Sequence, residues 1–140
     1  MLKEVYQNYK KIYPNDIIFI KSGNFFLTFY QDAYVMNELF HYKLIKTNGY
    51  IKVGFPLIAF NKIIKKLEEL QINYLIHDSD IIDRQKHKNN NYKQYLKENQ
   101  YELLFYRINT IHKILNDNIM NSNIKIILDE IEKIVCKINY

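Results

Sequence analysis

Apolar and polar positions alternate along this chain with two different periods, and the switches between them mark out a series of short elements. Leu2, Val5, Tyr9 and Ile12 fall on one side of a helical wheel, which predicts a first helix over 2–12 that Pro14 ends. Asp16 to Lys21 (DIIFIK) is a continuous β-rich run suited to a buried strand. Ser22-Gly23-Asn24 supplies turn chemistry, and Phe25 to Phe29 (FFLTF) reads as the strand that follows. Ala33, Met36, Leu39 and Phe40 return to helical spacing over 31–40, with Asp32 placed to favour the positive end of that helix. Tyr42–Thr47 and Tyr50–Phe55 flank Asn48-Gly49, a pair suited to the positive φ angles of a type I′ hairpin. A helix over 58–70 turns Ile63, Ile64, Leu67 and Leu70 inward and Lys62, Lys65 and Lys66 outward, and Ile72 to His77 reads as a last strand. The order α-β-β-α-β-β-α-β predicts an α+β domain, a mixed sheet flanked by helices.

Beyond residue 82 the pattern breaks. Asp83 to Lys97 (DRQKHKNNNYKQYLK) is polar and rich in Asn, so 83–94 reads as a linker between a sheet domain at 1–82 and a C-terminal element at 95–140. Helical periodicity then resumes twice, through Leu104, Ile108, Ile111 and Leu115 and again from Ile124 to Ile138. With 116–122 as the connection, these form a helical hairpin whose apolar faces need something to pack on.

Charge sharpens the view of the 83–97 stretch. The chain of 140 residues carries +5, of which 1–82 contribute +2, 83–97 contribute +4 and 98–140 contribute −1. A basic segment of this kind suits an anionic partner. The single cysteine, Cys136, has no mate within the chain, and its apolar neighbours predict a core position. The N-terminus lacks the apolar core of a secretion signal and no run is long enough to span a bilayer, so a cytoplasmic protein without membrane contact is expected.

Catalytic patterns are hard to assemble. Three glycines, Gly23, Gly49 and Gly54, do not make a phosphate loop, and four scattered histidines with one cysteine have no zinc spacing. His77-Asp78-Ser79-Asp80 comes nearest to a metal or acid–base group, although such residues also simply begin loops. Neither an enzyme nor a cofactor is expected.

The segment Tyr13 to Ala33, YPNDIIFIKSGNFFLTFYQDA, resembles the start of MutS mismatch-repair proteins, where a strand leads into a G-D-F-Y-E-L-F turn and an acidic D-A helix start. The likeness continues through Leu44–Asn48, Gly54-Phe55-Pro56 with Ala59, Leu67 and Asn73–His77, and covers roughly 2–80. It implies the fold of the MutS N-terminal domain. In that family the Phe of the turn wedges into the minor groove and stacks on a mispaired base, and the Glu two residues on hydrogen-bonds the base. Carried across, the Phe is Phe25, the Glu is replaced by Leu27, and the preceding Asp is Asn24. A Phe in an alternating strand is also often a core residue, so the strand alone leaves open whether Phe25 is a wedge or core, and Phe26 or Phe29 is an alternative inward residue.

Lys21, Lys46 and Lys52 are candidate phosphate contacts by position, joined by Arg84, Lys86 and Lys88 of the basic segment. The connector, clamp and ATPase parts of MutS have no counterpart here, so the resemblance implies a non-catalytic accessory that binds DNA or an RNA–DNA duplex. Diversity-generating retroelements carry small MutS-like proteins beside a reverse transcriptase, which makes such an enzyme an expected protein partner. A module that docks onto a nucleic-acid enzyme, its DNA-reading face idle, is the alternative.

Overall fold

A computed structural model describes residues 2–47, 50–96 and 100–138, with the backbone alone for 100–103. The chain divides into two compact units, 1–104 and 105–140.

The first unit is built on a six-stranded mixed sheet in the order β3-β4-β2-β1-β5-β6. The strands are β1 (Ile17–Ser22), β2 (Phe25–Phe29), β3 (Ile45–Thr47), β4 (Tyr50–Pro56), β5 (Tyr74–Asp78) and β6 (Ile81–Gln85). β1 and β5 run parallel, with Ile18 opposite Leu75, and every other pairing is antiparallel. Three helices of eleven residues each, α1 (Leu2–Ile12), α2 (Tyr30–Phe40) and α3 (Phe60–Leu70), flank the sheet. The hairpin turn expected at Asn48-Gly49 lies outside the described residues.

Strict alternation gives the sheet two apolar faces. On one, Ile18, Ile20, Phe29 and Leu75 pack with Tyr6 of α1, and Leu2, Val5, Tyr9 and Leu27 cover the rim. On the other, Phe19 meets Phe55 edge-on at 5.5 Å, and Phe26 stacks between Phe55 and Phe60 at 5.6 and 4.7 Å. α3 buries Ile63 and Leu67 and ends in a Schellman closure. Gln71 takes the left-handed conformation at φ 56°, its N–H reaches Glu68 O, and the N–H of Ile72 reaches Leu67 O at 3.0 Å.

Two expectations change here. Residues 83–94 are not a detached linker. Asp83 to Gln85 belong to β6, the partner of β5, and Tyr92 is fully buried in the first unit. The polar residues that suggested a linker are the ones that fasten the segment. Asn90 donates to the carbonyl of Asn15 and accepts from the N–H groups of Asn73 and Tyr92, and Asn91 donates to Leu70 O. His87 bridges Glu68 and Asn73.

Asp32 also does more than face a helix end. Its carboxylate is wholly buried and accepts from Tyr6 Oη, Tyr92 Oη, Lys10 Nζ and the N–H of Ile18. Four donors match the lone-pair capacity of a carboxylate, so a charge that would otherwise be costly in the core is satisfied. Burial and the Asp32 charge push the Tyr6 and Tyr92 hydroxyls well above the ordinary tyrosine range, which keeps both as donors.

The second unit comprises α4, which spans Gln100–Asp117 across the division between units, and α5 (Ile124–Val135). Cys136, expected in a core, is exposed. No described residue of this unit is buried. Among the described residues, no helix is long and apolar enough to cross a membrane.

Candidate nucleic-acid interface

Phe25 opens β2 immediately after a two-residue turn. Ser22 pairs with Phe25, and between them Gly23 sits at φ 60° while Asn24 does not take positive φ. This is the pattern of a type II′ turn, whose first central position favours glycine. The carbonyl of Asn24 accepts from the N–H of Leu57 at 3.0 Å, which ties the turn to the short 3-10 segment Leu57–Ala59 after β4. β2 and β4 place Phe25 beside Pro56.

The result is a braced apolar tip. Phe25 is 51% exposed and Ile58 92% exposed, with Pro56 open between them. The other phenylalanines of the strand have different fates for a simple reason. Phe26 points to the opposite face, under Phe60, while Phe29 shares the face of Phe25 but lies four residues along, packed against Tyr6. Of the three, Phe25 is the one presented outward.

Leu27, which stands where the resemblance would place a Glu, is half-buried against the α1-side cluster. It lies over Gly54, where an added Cβ would come within 3.1 Å of Leu27 Cδ2. Its side chain fills a place beside glycine and offers no polar atom to a base.

The candidate phosphate contacts do not converge on this tip. Lys21 is on the opposite face from Phe25 and pairs with Asp78 at 3.2 Å. Lys46 is exposed on β3, also on the opposite face by register. Lys52 shares the face of Phe25 but pairs with Phe29, at the far end of β2. Arg84 is committed elsewhere, for its guanidinium forms a two-point ion pair with the buried Asp16 carboxylate and lies 4.2 Å over the Tyr13 ring. That pairing holds the Arg84 pKa above its ordinary value. Lys86 and Lys88 are exposed, on the chain that follows β6.

Clefts among the described residues include two that bear on the sheet domain. One of about 380 Å³ lies beside the tip, lined by Phe26, Leu57 and Phe60 together with the Lys21–Asp78 pair. A second of about 430 Å³ is lined by His41, Lys62, Lys65, Lys66 and Glu69. The lysines of this second cleft were legible only as the outward face of a helix. His77-Asp78-Ser79-Asp80 makes the tight β5–β6 turn, with Ser79 at φ 53°, and no group of ligands suited to a metal occurs among the described residues.

An exposed aromatic thus stands at a braced hairpin tip on a mixed sheet flanked by helices. The family model for MutS domain I matches residues 1–97, and the chain belongs to that family. One relative, the DNA mismatch repair protein MutS of Petrotoga mobilis, is 34% identical over 67 residues. That match takes in 48% of this chain and 8% of the relative.

Proposed function

We propose that this chain is a non-catalytic DNA-binding module that engages irregular duplexes, those with a mismatch, a bulge or an unpaired base, by stacking Phe25 on a base. The observation that carries the reading is the exposure of Phe25 at a tip braced by Gly23 and by the Asn24–Leu57 bond. An aromatic face stacks on any base, and insertion beside a base step is cheapest where pairing is already defective. Family membership and the mismatch-repair role named for the Petrotoga mobilis relative support the same reading.

Leu27 sets its limit. With Leu27 where the resemblance places a Glu, stacking operates without that polar reader, so affinity for irregular DNA exceeds affinity for matched duplex by only a small factor. A narrower form of the proposal places the chain beside a reverse transcriptase as its accessory; its support is the resemblance to retroelement-borne MutS-like proteins. The competing reading, a protein-docking module, draws on Leu27 and on lysines that do not gather around Phe25.

Titration of Phe25→Ala against mismatched, bulged and matched duplexes separates the readings. A weakening of about 1–3 kcal/mol on irregular substrates, roughly 5- to 150-fold, with an unchanged circular dichroism spectrum, is the expected outcome. Equal affinity of variant and parent for every substrate would hand the lead to the docking reading.

A further inference from the structure

The lysines expected to meet phosphate do not converge on the Phe25 tip, but a different set of cations gathers at the same end of the sheet. Lys62, Lys65 and Lys66 are exposed on α3 and line the cleft of about 430 Å³ together with His41, which closes α2. Two aromatic contacts fix where this cleft lies. Phe60, at the start of α3, stacks on Phe26 at 4.7 Å, and Tyr42, next to His41, stacks on Phe55 at 5.9 Å. Phe26 and Phe55 are cross-strand partners, one step along the ladder from Phe25 and Pro56. α2 therefore ends, and α3 starts, at the end of the sheet that carries the tip.

The charges of α3 are arranged against the stability of the helix. Its first turn holds Lys62, with no acid and no side-chain cap, and its last turn holds Glu68 and Glu69, with no base. The helix dipole favours the reverse order. Lys62 and Lys66 are also like charges one turn apart, a destabilising pair. Among the described residues, none of the three lysines nor the His41 ring forms a hydrogen bond or an ion pair, and Glu69 is the acid that lines the cleft. By contrast, Lys10, Lys21 and Arg84 are each held by a carboxylate. An anion seated in the cleft would offset both costs.

We propose that this cleft grips the sugar–phosphate backbone of the duplex whose irregular base meets Phe25, with Lys62, Lys65 and Lys66 as the phosphate contacts and His41 as a donor at the rim. The inference rests on the DNA-binding reading and supplies the positive charge that Lys21 and Arg84, committed to carboxylates, do not. The residue types favour this occupant over an acidic peptide. Lysines are flexible point charges suited to phosphates in series, whereas planar carboxylates are best matched by the fork of an arginine, and no arginine lines the cleft. Its place at the end of the sheet that presents Phe25 points the same way.

Anisotropy titrations of labelled matched and mismatched duplexes with the full chain, at several salt concentrations, test the proposal. Lys62→Gln/Lys65→Gln/Lys66→Gln should weaken both duplexes by the same factor, about tenfold or more, and lower the log–log salt slope by about 2–3, at roughly 0.9 per lost phosphate contact. Glu69→Lys should act in the opposite sense, with tighter binding and a slope steeper by about one. Lys113→Gln/Lys125→Gln/Lys137→Gln removes the same charge from exposed positions of the second unit and should leave the slope unchanged. The urea midpoint of the cleft variant should equal or exceed that of the parent, because a cation leaves the positive end of α3. Cleft and wedge are separable, since Phe25→Ala acts on irregular duplexes at constant slope, whereas the cleft variant weakens matched duplex in either background. The proposal is overturned by a parental slope in the cleft variant or by an equal loss in the second-unit control. It is also overturned if poly-glutamate binds through these lysines in place of DNA, or if inorganic phosphate displaces the duplex beyond the effect of its ionic strength.

Discussion

Tyr92→Phe probes the bond between the 83–94 segment and the sheet domain with a single atom. The Tyr92 hydroxyl donates to the buried Asp32 carboxylate and accepts from Lys10 Nζ at 2.9 Å, and the side chain is fully buried. Phenylalanine retains the ring and its contact with the Lys10 ammonium, 4.4 Å from the centroid, so packing and the cation–π term are conserved. What disappears is the charge-assisted hydrogen bond to the buried Asp32 carboxylate, together with the one that the hydroxyl accepts from Lys10 Nζ. Such a bond contributes about 1.5–3 kcal/mol when its loss leaves a buried acceptor short of a donor. With a urea m-value of roughly 1–3 kcal/mol/M for a domain of this size, the midpoint should fall by about 1 M at constant m. Equilibrium urea unfolding followed by far-UV circular dichroism reads the shift. Tyr95→Phe, at a half-exposed position three residues on, is the control and should stay within about 0.5 kcal/mol of the parent. A Tyr92→Phe midpoint equal to that control would mean that the segment is a linker after all.

Two further outcomes are expected. Binding to duplex DNA should lose affinity with salt at about −0.9 in log–log slope per phosphate contacted, and Lys86→Gln/Lys88→Gln/Lys93→Gln should flatten that slope without lowering stability, Arg84 being left in place for its Asp16 pair; an unchanged slope would confine these lysines to solvent. Hydrogen bonds from His87 and Tyr74 hold the Glu68 carboxyl below its ordinary value of 4.5, so Glu68 adds stability above that pH and gives it up as pH falls through the lower folded value. Its side chain is 46% exposed, so the effect is small, and it is read as a shallower acid limb of the urea midpoint in Glu68→Gln than in the parent.

The elements that were legible in the sequence are those whose side chains follow one period from end to end. Phe25–Phe29, the helix after it and the helix ending at Leu70 carry apolar spacing strong enough to fix both type and face. β6 carried no such signal. It is an edge strand with Ile81 and Ile82 exposed and Asp83, Arg84 and Gln85 behind them, and what holds Arg84 is Asp16, distant in sequence. The Asn-rich stretch misleads for a related reason, since Asn is frequent in loops and here its amides satisfy backbone groups of three other segments. Tyr92 was an available clue, a large aromatic in a polar run, although Tyr95 in the same run is only half-buried. At the candidate site, alternation alone left Phe25 and Phe29 equivalent, because both share a face. Only the length of α1 and its place over Phe29 make one core and the other surface. Lysine positions were least legible of all, for charge pairing across the sheet does not depend on local pattern.

The central claim, that Phe25 stacks on a base, is tested most directly by fluorescence. The chain has no tryptophan, so Phe25→Trp places a single indole at the tip of the β1–β2 hairpin. Titration with a mismatched or bulged duplex should quench that emission by stacking, and quenching should saturate at the same DNA concentration as binding measured by anisotropy of labelled DNA. Matched duplex at the same salt should quench less. DNA that binds while the indole emission stays unchanged would contradict the claim.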